Sequence, residues 1–391
     1  MTATEAPDRL VYERVRESAH RRLAPLVREG AAARVDRDLL RATATEGILD
    51  MLFPRDNGPA TASAICEIRE ALGYSCPAAD VAVSMQGIGG YPVLLAGQPH
   101  QIQRWLEPMR QGTAVAGFAL TEPDVGSDAA AIQLRARPCA AGWTLHGHKK
   151  WITNAPDADF YVTFARTTRD ARSRGVTAFL VPADRHGLSG VPIEFIADHP
   201  IGALTFDGVP VDRSDVIGEV DRGFVAAMTT FDLFRPSLGA AAVGMGQAAL
   251  DAAVERTATR MAFGRPIGSN QAVAHALADV ATRLEASRHL VDATASAHEA
   301  RDSRVTVKAA MAKVFATEAA QAAIDTAIQF HGASGLEAGH LLERLYREVR
   351  ATRIFEGASE IQRDLIARDL YRNTHLGRMR APAGAASDKE T

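Results

Sequence analysis

Gly117-Phe118-Ala119-Leu120-Thr121-Glu122-Pro123-Asp124-Val125-Gly126-Ser127-Asp128 is where the chain changes period, and its reading decides the fold. Before it, to about Gln111, the sequence is rich in Ala, Arg, Leu and Glu, with breaks at Pro54 to Pro59 and at Cys76-Pro77, a pattern of several helices. After it, to about Glu219, come short runs separated by Gly, Asn, Asp and Pro: Ile132 to Ala136, Trp143 to His146, Phe160 to Phe164 and Val176 to Val181. No long helical pattern lies between those runs, so they predict a small antiparallel β domain and not a βαβ array. From about Phe224 to Tyr371 helical spacing returns, in Val273, Leu277, Val280 and Leu284 and again in Val307, Met311, Val314 and Phe315. The expected architecture is α+β: residues 1–116 helical, 117–220 a β domain, 221–375 helical, and a tail, 376–391, expected to be disordered.

Composition bounds the function. The 391 residues are 47% hydrophobic and 23% charged, enough for two or three domains with real cores. A net charge of −3 offers no electrostatic case for nucleic acid. No uninterrupted apolar run is long enough to span a bilayer. Glu5, Asp8, Glu13 and Glu17 among the N-terminal arginines argue against an acid-poor targeting segment. Three scattered cysteines, Cys66, Cys76 and Cys139, form neither a disulfide framework nor a zinc site, which suits a reducing compartment. A cytoplasmic protein is expected.

Local motifs narrow the chemistry. Gly244-Met245-Gly246-Gln247-Ala248-Ala249 matches a loose dinucleotide fingerprint, but its flanks are helical in composition, so small residues in a packed helix are the better reading. There is no phosphate loop of the GxxxxGK[ST] kind and no Gly-x-Ser-x-Gly elbow after a strand. His331 and His340 flank a Gly-rich turn and lack further ligands at metal spacing. The Thr121 to Ser127 turn offers backbone N–H groups and hydroxyls to an acceptor-rich ligand, or is simply a polar turn. In Lys149-Lys150-Trp151-Ile152-Thr153-Asn154-Ala155, a Trp beside a Thr at a strand end could form an aromatic wall, or be a half-buried strand Trp. In Arg353-Ile354-Phe355-Glu356-Gly357-Ala358-Ser359-Glu360-Ile361-Gln362, Ser359 and Gln362 have capping-box spacing, which predicts a helix start and leaves Glu356 in the preceding loop. A carboxylate there is either exposed or, behind Ile354-Phe355, desolvated into a poised base.

Taken together and in order, these strings resemble the acyl-CoA dehydrogenase family, over nearly the whole chain to about Arg372. Thr121-Glu122-Pro123 with Gly126-Ser127-Asp128, then Trp151-Ile152-Thr153-Asn154, Phe231 to Arg235 before a long helix, Arg260 to Gly264 with Gln271, Gln329 to Gly335, Arg347 and Glu356-Gly357 carry the resemblance. It implies an N-terminal helical domain, a middle β domain and a C-terminal four-helix domain. It also implies FAD as cofactor, a homotetramer built as a dimer of dimers (or a homodimer), and an electron-transfer flavoprotein as acceptor. Phe118, Leu120, Thr121, Ser127, Trp151 and Thr153 match positions at the isoalloxazine ring, and Gly126 a further cofactor position. Arg260, Phe263, Gln271, Gln329 and Gly332 match positions that reach the cofactor of a neighbouring subunit, and Ala358 and Glu360 further cofactor positions. Ser127, Asp232, Arg235, Phe355 and Gly357 match substrate positions, Asp232 and Arg235 along the CoA thioester arm. Glu356 matches the base that removes the α-proton while a β-hydride passes to flavin N5, giving a 2-enoyl thioester from an acyl-CoA.

Several positions depart from the family pattern: Phe355 stands for a common Tyr, Ala358 for a Thr, Glu360 for a Gln and Ala333 for a Gly. The stretch Ile196 to Gly202 reads as a shortened loop, and Pro54 to Gly58 as a reduced turn. Cavity depth depends on side chains such as Met85, Ile88, Tyr91 and Phe234. The alternatives are the same chemistry on an acyl-carrier-protein substrate, a flavin oxidase on the same scaffold, and a non-catalytic scaffold.

Overall fold

The computed structural model describes residues 9–27, 34–56, 58–372 and 374, so the expected tail at 376–391 lies outside the described residues. The first block is helical: α1 Leu10–Ser18, α2 Arg37–Thr45, α3 Ile48–Leu52, α4 Ala62–Ser75, α5 Pro77–Ala96 and α6 Pro99–Arg110. Two of these helices, α2 and α4, begin where a short polar side chain takes an orphan N–H. Asp36 accepts from Leu39 N at 2.9 Å and Thr61 from Ala64 N at 3.2 Å. Pro77, whose missing N–H costs nothing at a first helical position, opens α5.

The β domain holds β1 Ala116–Ala119, β2 Arg135–Cys139, β3 Gly142–Thr153, β4 Phe160–Arg166, β5 Val176–Pro182, β6 Leu188–Ile193, β7 Ile201–Val211 and β8 Val216–Ile217. The sheet runs β6-β7-β3-β2-β4-β5-β8, with β1 against β4. Most ladders are antiparallel, as expected, but β1 lies parallel to β4 and β2 meets β4 in one parallel pair. The reason is connectivity: β1 enters from α6 and docks on the sheet without a hairpin. The runs at Trp143 and Trp151 belong to one strand, β3, whose register against β7 slips between Lys150 and Ile152. Trp151 is the extra residue of that bulge, in left-handed backbone at φ 57° and 45% exposed. Such bulges re-aim a side chain.

The last block is α7 Gly223–Thr259, a small hairpin of β9 Met261–Ala262 and β10 Arg265–Pro266, then α8 Gln271–Glu299, α9 Val305–His331, α10 Leu341–Thr352 and α11 Ser359–Tyr371. The Gly244-Met245-Gly246 string is mid-helix. A Cβ at Gly244 would overlap the Glu70 carbonyl of α4, and one at Gly246 would sit 3.2 Å from Ala320 Cα of α9. The fingerprint is therefore close helix packing. The Val307 to Phe315 stripe needs correction. Val307 lies on the buried face of α9 with Ala309, Ala310, Ala312, Ala316 and Ala320, while Met311 and Val314 are half-buried and Phe315 is 40% exposed. Helices this close leave room for methyl groups but not for rings. The capping box is corrected too. Ala358 is the N-cap of α11 with no side-chain cap, Ser359 is the first helical residue, and its hydroxyl donates to Glu318 at 3.0 Å.

Candidate active site

Glu356 stands in the turn between α10 and α11, as its sequence predicts. Its backbone is left-handed, φ 53°, which costs a non-glycine residue energy and persists only where neighbours over-determine it. They do. The Glu356 carbonyl accepts from Arg235 Nε at 3.1 Å and Gln362 Nε2 at 3.4 Å. The next carbonyl, of Gly357, accepts from Lys313 Nζ at 2.8 Å and Gln362 Nε2 at 3.1 Å. Gly357 has φ 96°, and a Cβ there would overlap the Gln362 amide, so the turn needs glycine.

One oxygen of the carboxylate, Oε2, is inaccessible and lacks a hydrogen-bond partner among the described residues. Desolvation raises its pKa above the usual carboxylate range, against the opposing pull of Arg69, Lys313 and Arg235. Burial likewise pushes Lys313 down to about 8, although Glu356 pulls the other way. A base poised nearer neutrality, with a free lone pair, is what proton abstraction from carbon asks of a carboxylate.

A chain of contacts joins this base to the β domain. Arg235 stacks over the Phe231 ring at 5.2 Å, and Phe231 meets Phe118 of β1 edge-on at 5.5 Å. Lys150 N donates to Thr121 O at 3.0 Å, which sets Thr121 beside Trp151. Phe118 and Leu120 are buried, Thr121 and Thr153 half-buried, and Gly126 and Ser127 exposed. Phe118 is thus linked to the Glu356 turn through Phe231 and Arg235, and Thr121 is paired with β3 next to the bulge that carries Trp151. Asp232 is turned away from a free role, accepting from Thr306 Oγ1 at 2.7 Å and pairing with Arg235 at 3.4 Å. Phe355 and Gly357 flank Glu356, and Ala358 and Glu360 open α11.

Arg260, Phe263 and Gln271 are not part of this site in the chain. They lie past the far end of α7, about 36 Å from Arg235 at the helical rise, and all are exposed, Phe263 fully. Gln329 and Gly332, at the end of α9, are exposed as well.

Four charged contacts escaped sequence reasoning. Glu122, in the Thr121 turn, is buried, pairs with Lys149 at 2.8 Å, and accepts from Gln133 N and Leu134 N. Lys149 also donates to Leu120 O at 2.7 Å, so this pair pins the turn from within. Arg69 and Asp80 form a buried two-pronged pair at 2.9 Å each, and Arg69 Nη1 reaches Ser237 Oγ at 3.1 Å. Lys313 and Arg69 carried a signal: each is a lone cation on an otherwise apolar helix face, among Ala309, Ala312 and Ala316 or Ile65, Ile68 and Leu72. His199 carried none. In the Ile196 to Gly202 loop, it is buried against Glu348 of α10.

That last pair clasps the loop entering β7 to the helix that leads to Glu356. Burial alone would lower the His199 pKa, but the Glu348 carboxylate, with Asp80 and Asp198 nearby, holds it above the ordinary range. The sign follows: the stabilisation is fully present below about pH 6.5 and fades as pH rises through the folded-state value. Glu348→Gln is expected to cost about 2 kcal/mol at acidic pH, with the difference in melting temperature from wild type shrinking at alkaline pH. A difference independent of pH would show that the charge on His199 is not involved.

Comparison with known proteins covers nearly the whole chain. Models described as the N-terminal, middle and C-terminal domains of acyl-CoA dehydrogenase match residues 6–113, 117–209 and 221–371. The human mitochondrial short-chain specific acyl-CoA dehydrogenase is 35% identical over 387 residues, spanning 95% of this chain and 92% of its own. A 3-(aryl)acrylate reductase of Clostridium sporogenes is 34% identical over 370 residues, 93% of this chain and 98% of its own. Among solved structures, PigA with FAD and proline superposes with a TM-score of 0.87 at 26% identity, covering 95% of this chain and 99% of that one. With its helical, β and helical blocks matched in order by these three domain models, the chain belongs to the acyl-CoA dehydrogenase family.

Proposed function

We propose that this enzyme is an FAD-dependent dehydrogenase that converts an acyl thioester, in the first instance an acyl-CoA, to the 2-enoyl thioester, with Glu356 removing the α-proton. The observation that carries the reading is the buried, unpartnered Oε2 of Glu356 on a turn whose two carbonyls are fixed by Arg235, Lys313 and Gln362.

The residues present fit the cofactor. Trp151, thrust out of the ladder by the bulge, with Thr153, Thr121, Phe118, Leu120, Gly126 and Ser127, would hold the ring system. Gly126 has open space where a side chain would begin. Ala358 and Glu360 border the same turn. Arg260, Phe263, Gln271, Gln329 and Gly332, exposed and remote from Glu356, suit a cofactor bound by a second copy of the chain in a dimer or a dimer of dimers. FAD supplies the hydride acceptor, and an electron-transfer flavoprotein is the expected acceptor from it.

The chain's own residues do the rest. Glu356 takes the α-proton on the oxygen that no donor occupies. The fixed turn keeps that oxygen in place while charge leaves it. The backbone N–H of Glu356 is a candidate donor to the thioester oxygen, where negative charge develops. Ser127, Asp232, Arg235, Phe355 and Gly357 are the candidate substrate contacts. Arg235 acts in this chain chiefly on the Glu356 carbonyl, as a positioning residue.

Anaerobic titration of the purified flavoprotein with a panel of acyl-CoAs tests the proposal, with the same acyl groups on a carrier protein as a second arm. Loss of the oxidised flavin band with one acyl-CoA class is expected. Bleaching by the carrier-bound acyl group alone would move the reading to that substrate, and no bleaching by any thioester would sink it.

A further inference from the structure

Resting on that reading of Glu356, we infer that His340 is a positioning residue: as a neutral imidazole it caps the start of α10, the helix that ends at the Glu356 turn, so acid uncaps this helix and slackens its hold on the turn.

The bond fixes the protonation state. His340 is the N-cap of α10, in extended backbone at φ −66° and ψ 144°, and its Nδ1 accepts from Leu342 N at 3.1 Å. Only a ring with a lone pair on Nδ1 can accept, so the proton of the neutral imidazole sits on Nε2. An imidazolium donates from both nitrogens. It would lose the cap and place a positive charge at the end of the helix where the dipole is already positive. Ser, Thr and Asn caps keep their acceptor at every physiological pH, whereas a histidine cap does not.

The groups around the ring come from every element packed on it. His331, the last residue of α9, meets it edge-on at 5.3 Å, and its own Nδ1 is committed to Ala327 O at 2.8 Å. Arg344 of α10 and Arg256 of α7 add positive charge, and Glu337 of the preceding turn opposes them. Glu343 is engaged elsewhere, with Arg347 at 2.7 Å and Gly339 N at 3.4 Å. Desolvation, then the charge of His331 and the two arginines, holds the His340 pKa below the ordinary histidine value. The cap is therefore fully present above about pH 6.5 and is lost as pH falls through the lower folded-state value.

The capped amide belongs to Leu342, which with Leu345 and Val349 is buried against α7 and α9. At the other end of this 12-residue helix, about 18 Å away, Ala351 O accepts from Ile354 N at 2.9 Å and Phe355 N at 3.2 Å, the two residues before Glu356. Between the ends, Glu348 is clasped by His199, whose hold fades in the opposite direction, as pH rises. Both histidines hold α10 together only in a window around neutral pH, bounded below by the proton His340 gains and above by the proton His199 loses.

Hydrogen–deuterium exchange over residues 341–347 of the holoenzyme, at pH 8 and pH 5, reads the cap in wild type, His340→Asn and His340→Ala. Asn offers Oδ1 where Nδ1 stands and does not titrate. At pH 8 wild type and the Asn variant are expected to exchange alike, and the Ala variant about fivefold faster. At pH 5 wild type should move to the Ala behaviour while the Asn variant stays protected. The flavin reduction rate of the Asn variant, divided by that of wild type, should rise about two- to fivefold from pH 8 to pH 5, because the ionisation of Glu356 is common to both and cancels. Wild type that follows the Asn variant at both pH values, or an Ala variant as protected as wild type at pH 8, overturns the inference. A rate ratio that stays constant while exchange changes overturns the positioning role. Exchange needs no substrate, so a protein that no thioester reduces would sink the dehydrogenase reading and leave the cap standing.

Discussion

Glu356→Gln is expected to bind FAD and acyl thioester normally and to lose flavin reduction by about 10²–10⁴-fold or more, the range a positioned base contributes. The amide keeps the size of the side chain and leaves the backbone contacts of Arg235 and Gln362 untouched, but it cannot accept the α-proton. Stability should move the other way. Because burial raises the folded-state pKa of Glu356, its charged form is disfavoured at neutral pH, and stability falls as pH rises through that value. Removing the charge therefore predicts a melting temperature no lower than wild type. In wild type, the reduction rate should fall on the acid side with an apparent pKa above the usual carboxylate value, because the base must be ionised. Stopped-flow reduction across pH measures both effects, and a variant that reduces flavin at the wild-type rate would remove Glu356 from its role.

The second large effect is on the fold. Glu122→Ala leaves Lys149, fully buried, without its carboxylate, and leaves the N–H groups of Gln133 and Leu134 without their acceptor. Breaking a buried pair in this way costs about 3–5 kcal/mol. A drop in melting temperature on the order of 10 °C is expected. FAD content should fall as well, because the same pair holds Leu120 O and hence the Thr121 turn. Glu122→Gln, which retains an acceptor, should lose less. A melting temperature within a degree of wild type for the Ala variant would show that the turn is supported elsewhere.

Glu122 illustrates the limit of motif reading. Its string pointed to the ligand face through Thr121 and Ser127, yet the Glu in the middle of that string points inward and works as a structural anchor. Ser359 and Gln362 are a similar case. Their spacing marked the helix start correctly, but Gln362 spends its amide on the carbonyls of Glu356 and Gly357, not on a cap. Spacing along the chain locates an element; which atom a side chain meets depends on the partners that packing brings to it.

What the sequence determined by itself was the order of the blocks, helical, β and helical, and the position of Glu356 in a turn before a helix. Both are local: they follow from the period of apolar residues and from where glycine and proline interrupt it. The environment of that glutamate is set by tertiary packing. Arg69, Arg235, Lys313 and His199 lie far apart in sequence, and only the close crossing of α4, α7 and α9 through small residues brings the first three around one turn. The rings of Phe234 and Tyr91 meet for the same reason, across Gly87 of α5. The base could be read from the chain, whereas its desolvation is a product of packing between segments that share no local signal.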